Sequence, residues 1–512
     1  MEISDLVVGL RRMPGAAQAF HAMVDGAAWR LTAHQIWEGG GRLIALWASD
    51  EGRTLAIHAA MGLSDGLVWL TMPLPEESPE YPELSDLFPA ASRMQRAAFD
   101  LVGLRARGAD DTRSWLRHGA WPAGVHPLRK ATESARAFEP VRDDYPFVTV
   151  QGEGVHEIPV GPVHAGIIEP GHFRFSVVGE RVLRLEERLG YVHKGIEKRF
   201  EVLGIHEGYR LAGRVSGDST VAYAWAYAMA AEAAAGVTPP PRALWLRTLF
   251  LERERIANHL GDLGYIANDA GLAFGLAQMG RLKEGLLRTN ASQFGHRYLM
   301  DRIVPGGVCA DLGEEGAALL HDEIDGLRDE VSRLRRVFDE HPGLQDRLTG
   351  TGHVSPELAR RLGLTGLAGR ASGVALDLRT QLRYAPYDEL GLNLVTHAGG
   401  DVAARVSVRF EEVLESLEVC RKVVKRVPAG ELATLFPSPR EGSRGVGWVE
   451  GWRGEVLIAL EAGANGALHR VHPHDPSWQN WPLLEHAIIG NIVPDFPLIN
   501  KSFNLSYSGA DL

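Results

Sequence analysis

Between His321 and Phe338 the chain reads HDEIDGLRDEVSRLRRVF, with Ile324, Leu327, Val331, Leu334 and Phe338 recurring at spacings of three and four. That period is the apolar face of an amphipathic helix and does not match the alternation of a strand. The same reading applies to residues 404–427, where Pro428 and Gly430 supply stop signals, and to residues 243–267, which include LERERIANHL. Three long helices with one apolar stripe each bury those stripes most readily against one another, so a helical bundle core is expected.

The N-terminal part reads differently. Residues 27–72 alternate apolar and polar positions and are broken by EGGGR and ASDEGR, which predicts strands joined by turns. A helix is expected around residues 91–107, followed by a Gly/Pro-broken stretch, WLRHGAWPAGVHPLRK, over 115–130. Residues 445–460, GVGWVEGWRGEVLIAL, read as a Gly-broken hairpin. A chain of 512 residues is too long for one ordinary core. The expected organisation is a small α/β domain over 1–135, a linker over 136–150 and a mainly helical domain over 151–512, an α+β protein with small peripheral sheets.

Several function classes are disfavoured. The longest apolar run, VAYAWAYAMAA at 221–231, stops at Glu232, well short of the roughly 18–20 residues a bilayer crossing needs. The N-terminus lacks a basic start, apolar run and cleavage site, so no signal peptide is expected. A net charge of −11 gives no general attraction to nucleic acid. Cys309 and Cys420 are the only cysteines, too few for an iron–sulphur cluster held by four thiolates. No GxGxxG stands between a strand and a helix, so a nucleotide site is not expected.

Some stretches are more polar than a core requires. GPVHAGIIEPGHFRF spans 161–175. LGYVHKGIEK, at 189–198, places His193, Lys194 and Glu197 close together; taken alone it reads as a turn and a helix start with solvated charges. LHRVHPHDPSW holds His469, His472 and His474 around Pro473, which reads as a surface loop, with a metal site the lesser alternative. GRASGVALDLR, ending at Arg379, suggests a tight loop that approaches another segment closely.

In order, GPVHAG, LGYVHKGIEK, GRVSGDS, LERERIANHL, GHRYLMDRIVPGGV, GRASGVALDLR and GWVEGWRGE resemble one family: the large subunits of group 4 [NiFe]-hydrogenases and the 49-kDa-type subunit of respiratory complex I. The N-terminal part resembles the 30-kDa-type subunit fused in front, as in formate hydrogenlyase, hydrogenase-4 and the fused C/D polypeptide of NADH–quinone oxidoreductase. The resemblance implies a partner iron–sulphur subunit that holds a 4Fe–4S cluster. It also implies a ferredoxin-like subunit, antiporter-like and quinone-site-type membrane subunits, and a peripheral position on the cytoplasmic face of a membrane. No nucleic-acid partner is implied.

Hydrogenase large subunits in this family carry RxCGxC near the front and DPCxxC near the end. Here the first motif reads Arg214-Val215-Ser216-Gly217-Asp218-Ser219, and the last aligns with Asn504-Leu505-Ser506-Tyr507-Ser508-Gly509. The four thiolate positions therefore hold Ser216, Ser219, Ser506 and Gly509. Nickel and low-spin iron need soft, polarizable thiolates, whereas a serine hydroxyl is hard and weakly acidic. No metal bound by this chain and no hydrogen activation are expected. The chain stops three residues past Gly509, so the extension removed in hydrogenase maturation is not expected.

In complex I the equivalent cavity binds a quinone headgroup through a tyrosine and a histidine, with an aspartate behind the histidine. By motif spacing the tyrosine position falls at Gly217 and the loop histidine near Ile168. His164 matches an earlier loop histidine and Asp269 the aspartate. His193, Lys194 and Glu197 match the stretch beside the partner's cluster, with Lys194 where complex I has arginine. The resemblance thus implies a cavity lined by Ser216, Asp218, Ser219, Ser506 and Tyr507, with Arg214 nearby. Its walls suit water, a proton path or another oxidant, or fill the space of a lost cofactor. If a quinone-like acceptor is used, Asp218, Asp269, His164 and Tyr507 are the groups that would protonate or hydrogen-bond it. The leading expectation is a subunit that couples electron transfer to ion movement. A catalytically silent scaffold is the alternative, and an active hydrogenase would require nickel.

Overall fold

A computed structural model describes residues 3, 6, 9–133, 137–164, 168–382 and 384–512. Near the N-terminus a five-stranded sheet runs in the order Arg11–Arg12, Ala19–Met23, Gly66–Leu74, Leu55–Leu63, Arg42–Asp50. Its neighbours are antiparallel except Ala19–Met23, which pairs in parallel with Gly66–Leu74. The expectation of strands from residue 27 needs correction. Gly26–Glu38 is a helix, capped by the Asp25 side chain on Ala28 N, and Trp29, Thr32, Ala33 and Ile36 are its buried face. Their spacing of three and four is the helical period, and it outweighs the local alternation. The later helix, Ala91–Val102, ends at Gly103, whose φ of +89° stops it. Residues 105–107 instead form a short strand parallel to Glu80–Pro82.

The three stripes seen in the sequence become buried helix faces on Pro241–Asp269, Glu314–Glu340 and Val402–Arg426. Ala273–Phe294 folds back on Pro241–Asp269, with Gly275 set so close to Ala267 that a Cβ there would lie 2.5 Å from the alanine methyl. Buried charges tie the bundle together. Glu412 accepts from Arg370 Nε at 2.7 Å and lies 2.8 Å from His259 Nε2, while Arg409 donates to Asp262.

The apolar run at 221–231 lies in Thr220–Ala235, a helix buried along most of its length rather than a membrane span. Among the described residues no helix is long and apolar enough to cross a membrane. This helix sits flush on the strand Arg444–Glu450, the first of an antiparallel sheet completed by Glu455–Ala462 and Leu468–His474. Gly445 and Gly447 permit the approach, since a Cβ on Gly447 would fall 1.8 Å from the Ala226 carbonyl oxygen.

The two sheets meet across the molecule. Arg42 pairs bidentately with Glu455 at 2.8 and 2.7 Å, Arg470 donates to the Ala48 carbonyl, and the Trp47 ring stacks on His472 at 4.9 Å. Residues 137–150 contain no helix or strand and are tied to the body of the chain through Tyr145, whose hydroxyl accepts from Arg96 Nη2 at 2.6 Å, and through Val148 N, which donates to Glu186 at 2.8 Å.

Candidate functional site

Two chain segments 290 residues apart converge. Ser216 lies just before a single 3-10 turn, Gly217–Ser219, that leads into the Thr220–Ala235 helix. Ser506 caps the short helix Tyr507–Asp511, accepting from Gly509 N at 2.9 Å. The two hydroxyls lie 2.8 Å apart. Each hydroxyl has one hydrogen, and this sets the direction of the bonds. Ser216 donates to Asp218 Oδ1 at 2.8 Å, because a carboxylate only accepts; Ser506 therefore donates to Ser216. The order is Gly509 N–H to Ser506, Ser506 to Ser216, Ser216 to Asp218.

Arg453 closes the chain of bonds. It stands in the turn between Arg444–Glu450 and Glu455–Ala462, fixed by Gly366, whose φ of +63° lets it meet the Arg453 carbonyl where a Cβ would come within 1.8 Å. Its guanidinium is buried and clasps Asp218 through both Nη atoms, one at 2.7 Å, and reaches Ser219 Oγ at 3.3 Å. Its Nε donates to the Asn504 carbonyl, and its plane lies 4.0 Å over the Trp452 ring. Burial alone would raise the Asp218 pKa, but Arg453 and the Ser216 hydroxyl outweigh it and hold the group below the ordinary carboxylate range.

The structure thus brings Ser216, Ser219, Ser506 and Gly509 to one place, with Asp218 among them. It does so with their hydrogen-bonding capacity engaged by one another and by Arg453. Asp475 completes the wall: it accepts from Tyr223 at 2.8 Å, and a Cβ on Gly509 would lie 2.5 Å from its Oδ2. A nickel–iron centre does not fit this donor set. Three hard hydroxyls and a glycine supply no thiolate, and a guanidinium–carboxylate pair stands among them.

Tyr507 is buried beside this cluster, its hydroxyl 3.4 Å from Asn500 Nδ2 and its ring against Trp481 and Phe173. His164 touches the other end of that aromatic group, edge-on to Phe173 at 5.6 Å. Its Nδ1 is 3.3 Å from the Pro162 carbonyl, and its Nε2 is buried with no partner among the described residues. Asp269 is not part of the group; it is exposed at the end of its helix. Asp262, two turns earlier, is the aspartate the helix turns inward, bonded to Arg409 and to Asn504 Nδ2 at 2.7 Å. Arg214 also points away, pairing bidentately with Asp301 near the surface.

The reading of LGYVHKGIEK as solvated charges holds for Lys194, which is exposed, but needs correction for the half-buried His193 and the buried Glu197, because the segment packs against the Tyr507–Asp511 helix. His193 Nδ1 lies 2.7 Å from the Asp511 carbonyl oxygen, and Lys194 donates to the Val215 carbonyl at 2.8 Å. Glu197 is buried and holds both Arg470 and His472 at 2.7 Å. Burial works to raise its pKa, yet the Arg470 guanidinium and the hydrogen bond to His472 draw it down to about 2. His472 and His474 are likewise not in a surface loop; they belong to the buried strand Leu468–His474. Pro473 is tolerated there because this strand is the edge of its sheet.

Sequence reasoning missed Arg453, Asp475, Asp511 and Glu254. Arg453 stood in GWRGE, where glycines on a strand turn signal a side chain held at a tight corner. Asp475 stood in HPHDPSW, where Asp-Pro-Ser before a helix is a start signal. Asp511 is buried, accepts from Gly190 N and Val192 N, and is pushed up to about 7 by burial. Glu254 carried no signal: it faces inward from a helix and accepts from Val221 N at 2.6 Å and Ala222 N at 3.2 Å. It lines a small cavity with Asp218 and Asn258, and burial pushes its pKa up to about 8.

Comparison with known proteins matches residues 23–137 to the model of the 30 Kd subunit of respiratory-chain NADH dehydrogenase, and residues 269–441 to that of its 49 Kd subunit. Formate hydrogenlyase subunit 5 of Escherichia coli is 31% identical over 486 residues, covering 93% of this chain and 85% of the relative. Hydrogenase-4 component G of the same organism is 32% identical over 93% of this chain and 84% of its own length. The fused C/D polypeptide of the NADH-quinone oxidoreductase of Phocaeicola vulgatus is 30% identical over 81% and 83%. Among solved structures, a chain of the membrane-bound sulfane sulfur reductase, an archaeal respiratory membrane complex, superposes with a TM-score of 0.66 at 25% identity, covering 70% of this chain and 99% of that one.

Proposed function

The chain belongs to the family of fused 30-kDa- and 49-kDa-type subunits that includes formate hydrogenlyase subunit 5, hydrogenase-4 component G and the C/D polypeptide of NADH-quinone oxidoreductase, and from that membership we propose that it is the large subunit of a membrane-associated oxidoreductase complex working without a nickel–iron centre. It packs against a small subunit that holds a 4Fe–4S cluster, and the pair sits on a membrane arm with antiporter-like subunits. It binds no metal of its own. The observation that carries this reading is the closed cluster: Ser216 and Ser506 bonded to each other, with Asp218 clasped by Arg453, at the positions where hydrogenases place thiolates.

Coupling of electron transfer to ion movement, with a quinone-like acceptor, draws on a second observation. The His164 ring, whose buried Nε2 has no partner among the described residues, and the Tyr507 ring flank the same Phe173 ring. The chain's own part in that step is to present a donor at each end and to keep water out between them. Where no acceptor binds, the subunit is a silent scaffold for its partners.

The test is purification of the tagged chain from native membranes in mild detergent, with iron and nickel counted and co-purifying chains identified. Iron with a cluster-bearing small subunit and membrane subunits, and nickel well below one per complex, is the expected result. Stoichiometric nickel, or a chain recovered alone without an iron-bearing partner, would overturn the reading.

A further inference from the structure

The misfit between this site and a nickel–iron centre has a specific form, and it points to a binding site that the chain fills by itself. Arg453 is a permanent cation buried at the middle of the cluster, its Nε donating to the Asn504 carbonyl and both Nη atoms to Asp218. A fork of two parallel N–H groups is the geometry that recognises a carboxylate. The Ser216 hydroxyl supplies a third donor to the same group at 2.8 Å, and Ser219 stands beside the fork. Asp218, by contrast, keeps a side chain 39% exposed while Arg453 keeps only 6%. The receptor is therefore rigid and interior, and its occupant sits at the mouth, next to the small cavity lined by Gly217, Glu254 and Asn258.

We propose that Arg453, Ser216 and Ser219 form a carboxylate-binding site whose resident ligand is the chain's own Asp218, which supplies the negative charge that lets Arg453 stay buried. Two consequences distinguish this from an ordinary surface pair. Removing Asp218 takes away the carboxylate that pairs directly with the buried Arg453, leaving only the more distant charges of Asp475 and Asp262, and this costs more than losing an exposed ion pair. It also leaves a cavity, open to solvent, of the shape of one small carboxylate. The inference rests on the same cluster as the proposed function but not on the same test: metal analysis of the purified complex decides one, and the coupling between Asp218 and Arg453 decides the other.

The experiment uses the full chain and follows thermal unfolding. Asp218→Gly is expected to lower the melting temperature by roughly 5 °C. Acetate at 100 mM is expected to return most of that loss, while chloride at equal ionic strength returns little. Combining Asp218→Gly with Arg453→Met is expected to abolish the acetate effect and to destabilise less than the sum of the single changes. An unchanged melting temperature in Asp218→Gly, equal effects of acetate and chloride, or additive single changes would each overturn the proposal. If Asp218→Gly does not fold, Asp218→Asn keeps the shape and removes the charge. It is expected to destabilise the chain, and Arg453→Met in that background to recover part of the loss; additivity there would again sink the idea.

Discussion

The α-carbon of Gly509 lies against the Asp475 carboxylate, so that a Cβ at position 509 would stand 2.5 Å from Oδ2 and 2.9 Å from the Ser506 hydroxyl. Asp475 is not free to retreat, because it accepts from Tyr223 OH and from Ser477 N. Gly509→Ala is therefore expected to cost about 1–3 kcal/mol, the usual toll of overpacking, measured by urea unfolding. The same contact means that restoring cysteine at 216, 219, 506 and 509 rebuilds no centre by itself. A quadruple variant is expected to unfold earlier than the parent and to bind no nickel in equilibrium dialysis.

Glu197 is buried between Arg470 and His472, and its carboxyl is held down to about 2. A carboxyl depressed in the folded state stabilises the protein above its ordinary pKa of about 4.5, and that stability is lost as the pH falls toward 2. Glu197→Gln strands a buried guanidinium. A loss of about 3 kcal/mol at pH 7 is expected, with the difference from the parent shrinking as pH drops below 4.5.

Glu254 has the opposite sign. Burial raises its carboxyl to about 8 from the usual 4.5, so the folded chain holds a proton that the unfolded chain has released. Its contribution is present below pH 4.5 and fades as the pH rises through 8. Glu254→Gln keeps one oxygen to accept from Val221 N, gives up the weaker acceptor reached by Ala222 N, and cannot ionise. Plotted against pH, its melting temperature is expected to fall less between 4.5 and 8 than that of the parent.

Gly447 permits a very close helix–strand approach, with a Cβ placed 1.8 Å from the Ala226 carbonyl oxygen. Gly447→Ala is expected to cost about 3 kcal/mol or to prevent folding, scored by soluble yield and by circular dichroism of what is recovered. Gly430→Ala, where a Cβ meets nothing within 4 Å, makes an instructive contrast: its φ of +144° sets the only penalty, which is local.

The helical bundle was legible because its signal is periodic. Ile324, Leu327, Val331, Leu334 and Phe338 are all buried on one helix. Residues 27–38 were misread because a short stretch with small alanines satisfies two periods at once, and only the buried Trp29, Thr32, Ala33 and Ile36 decide between them. At the site, the four serine and glycine positions could be located from motif spacing, but their partner could not. Arg453 comes from a turn 235 residues beyond Asp218, and no local pattern links a charge to a counter-charge at that separation. Asp269 and Asp262 differ by two turns of one helix; sequence alone does not say which one faces inward, whereas the neighbouring Arg409 and Asn504 do.

The stack of Trp47 on His472, and of Trp47 on His58, draws on positions as much as 425 residues apart. On a ribosome adding about 5–20 residues per second, the tryptophan waits on the order of half a minute before its distant partner ring emerges. Throughout that interval the face of the N-terminal sheet that holds Trp47 has no cover from the strand that will carry His472. A holdase, or an early-arriving subunit, would find its opening then, and the fusion of the two parts into one polypeptide shortens that exposure from a search in solution to a fixed delay.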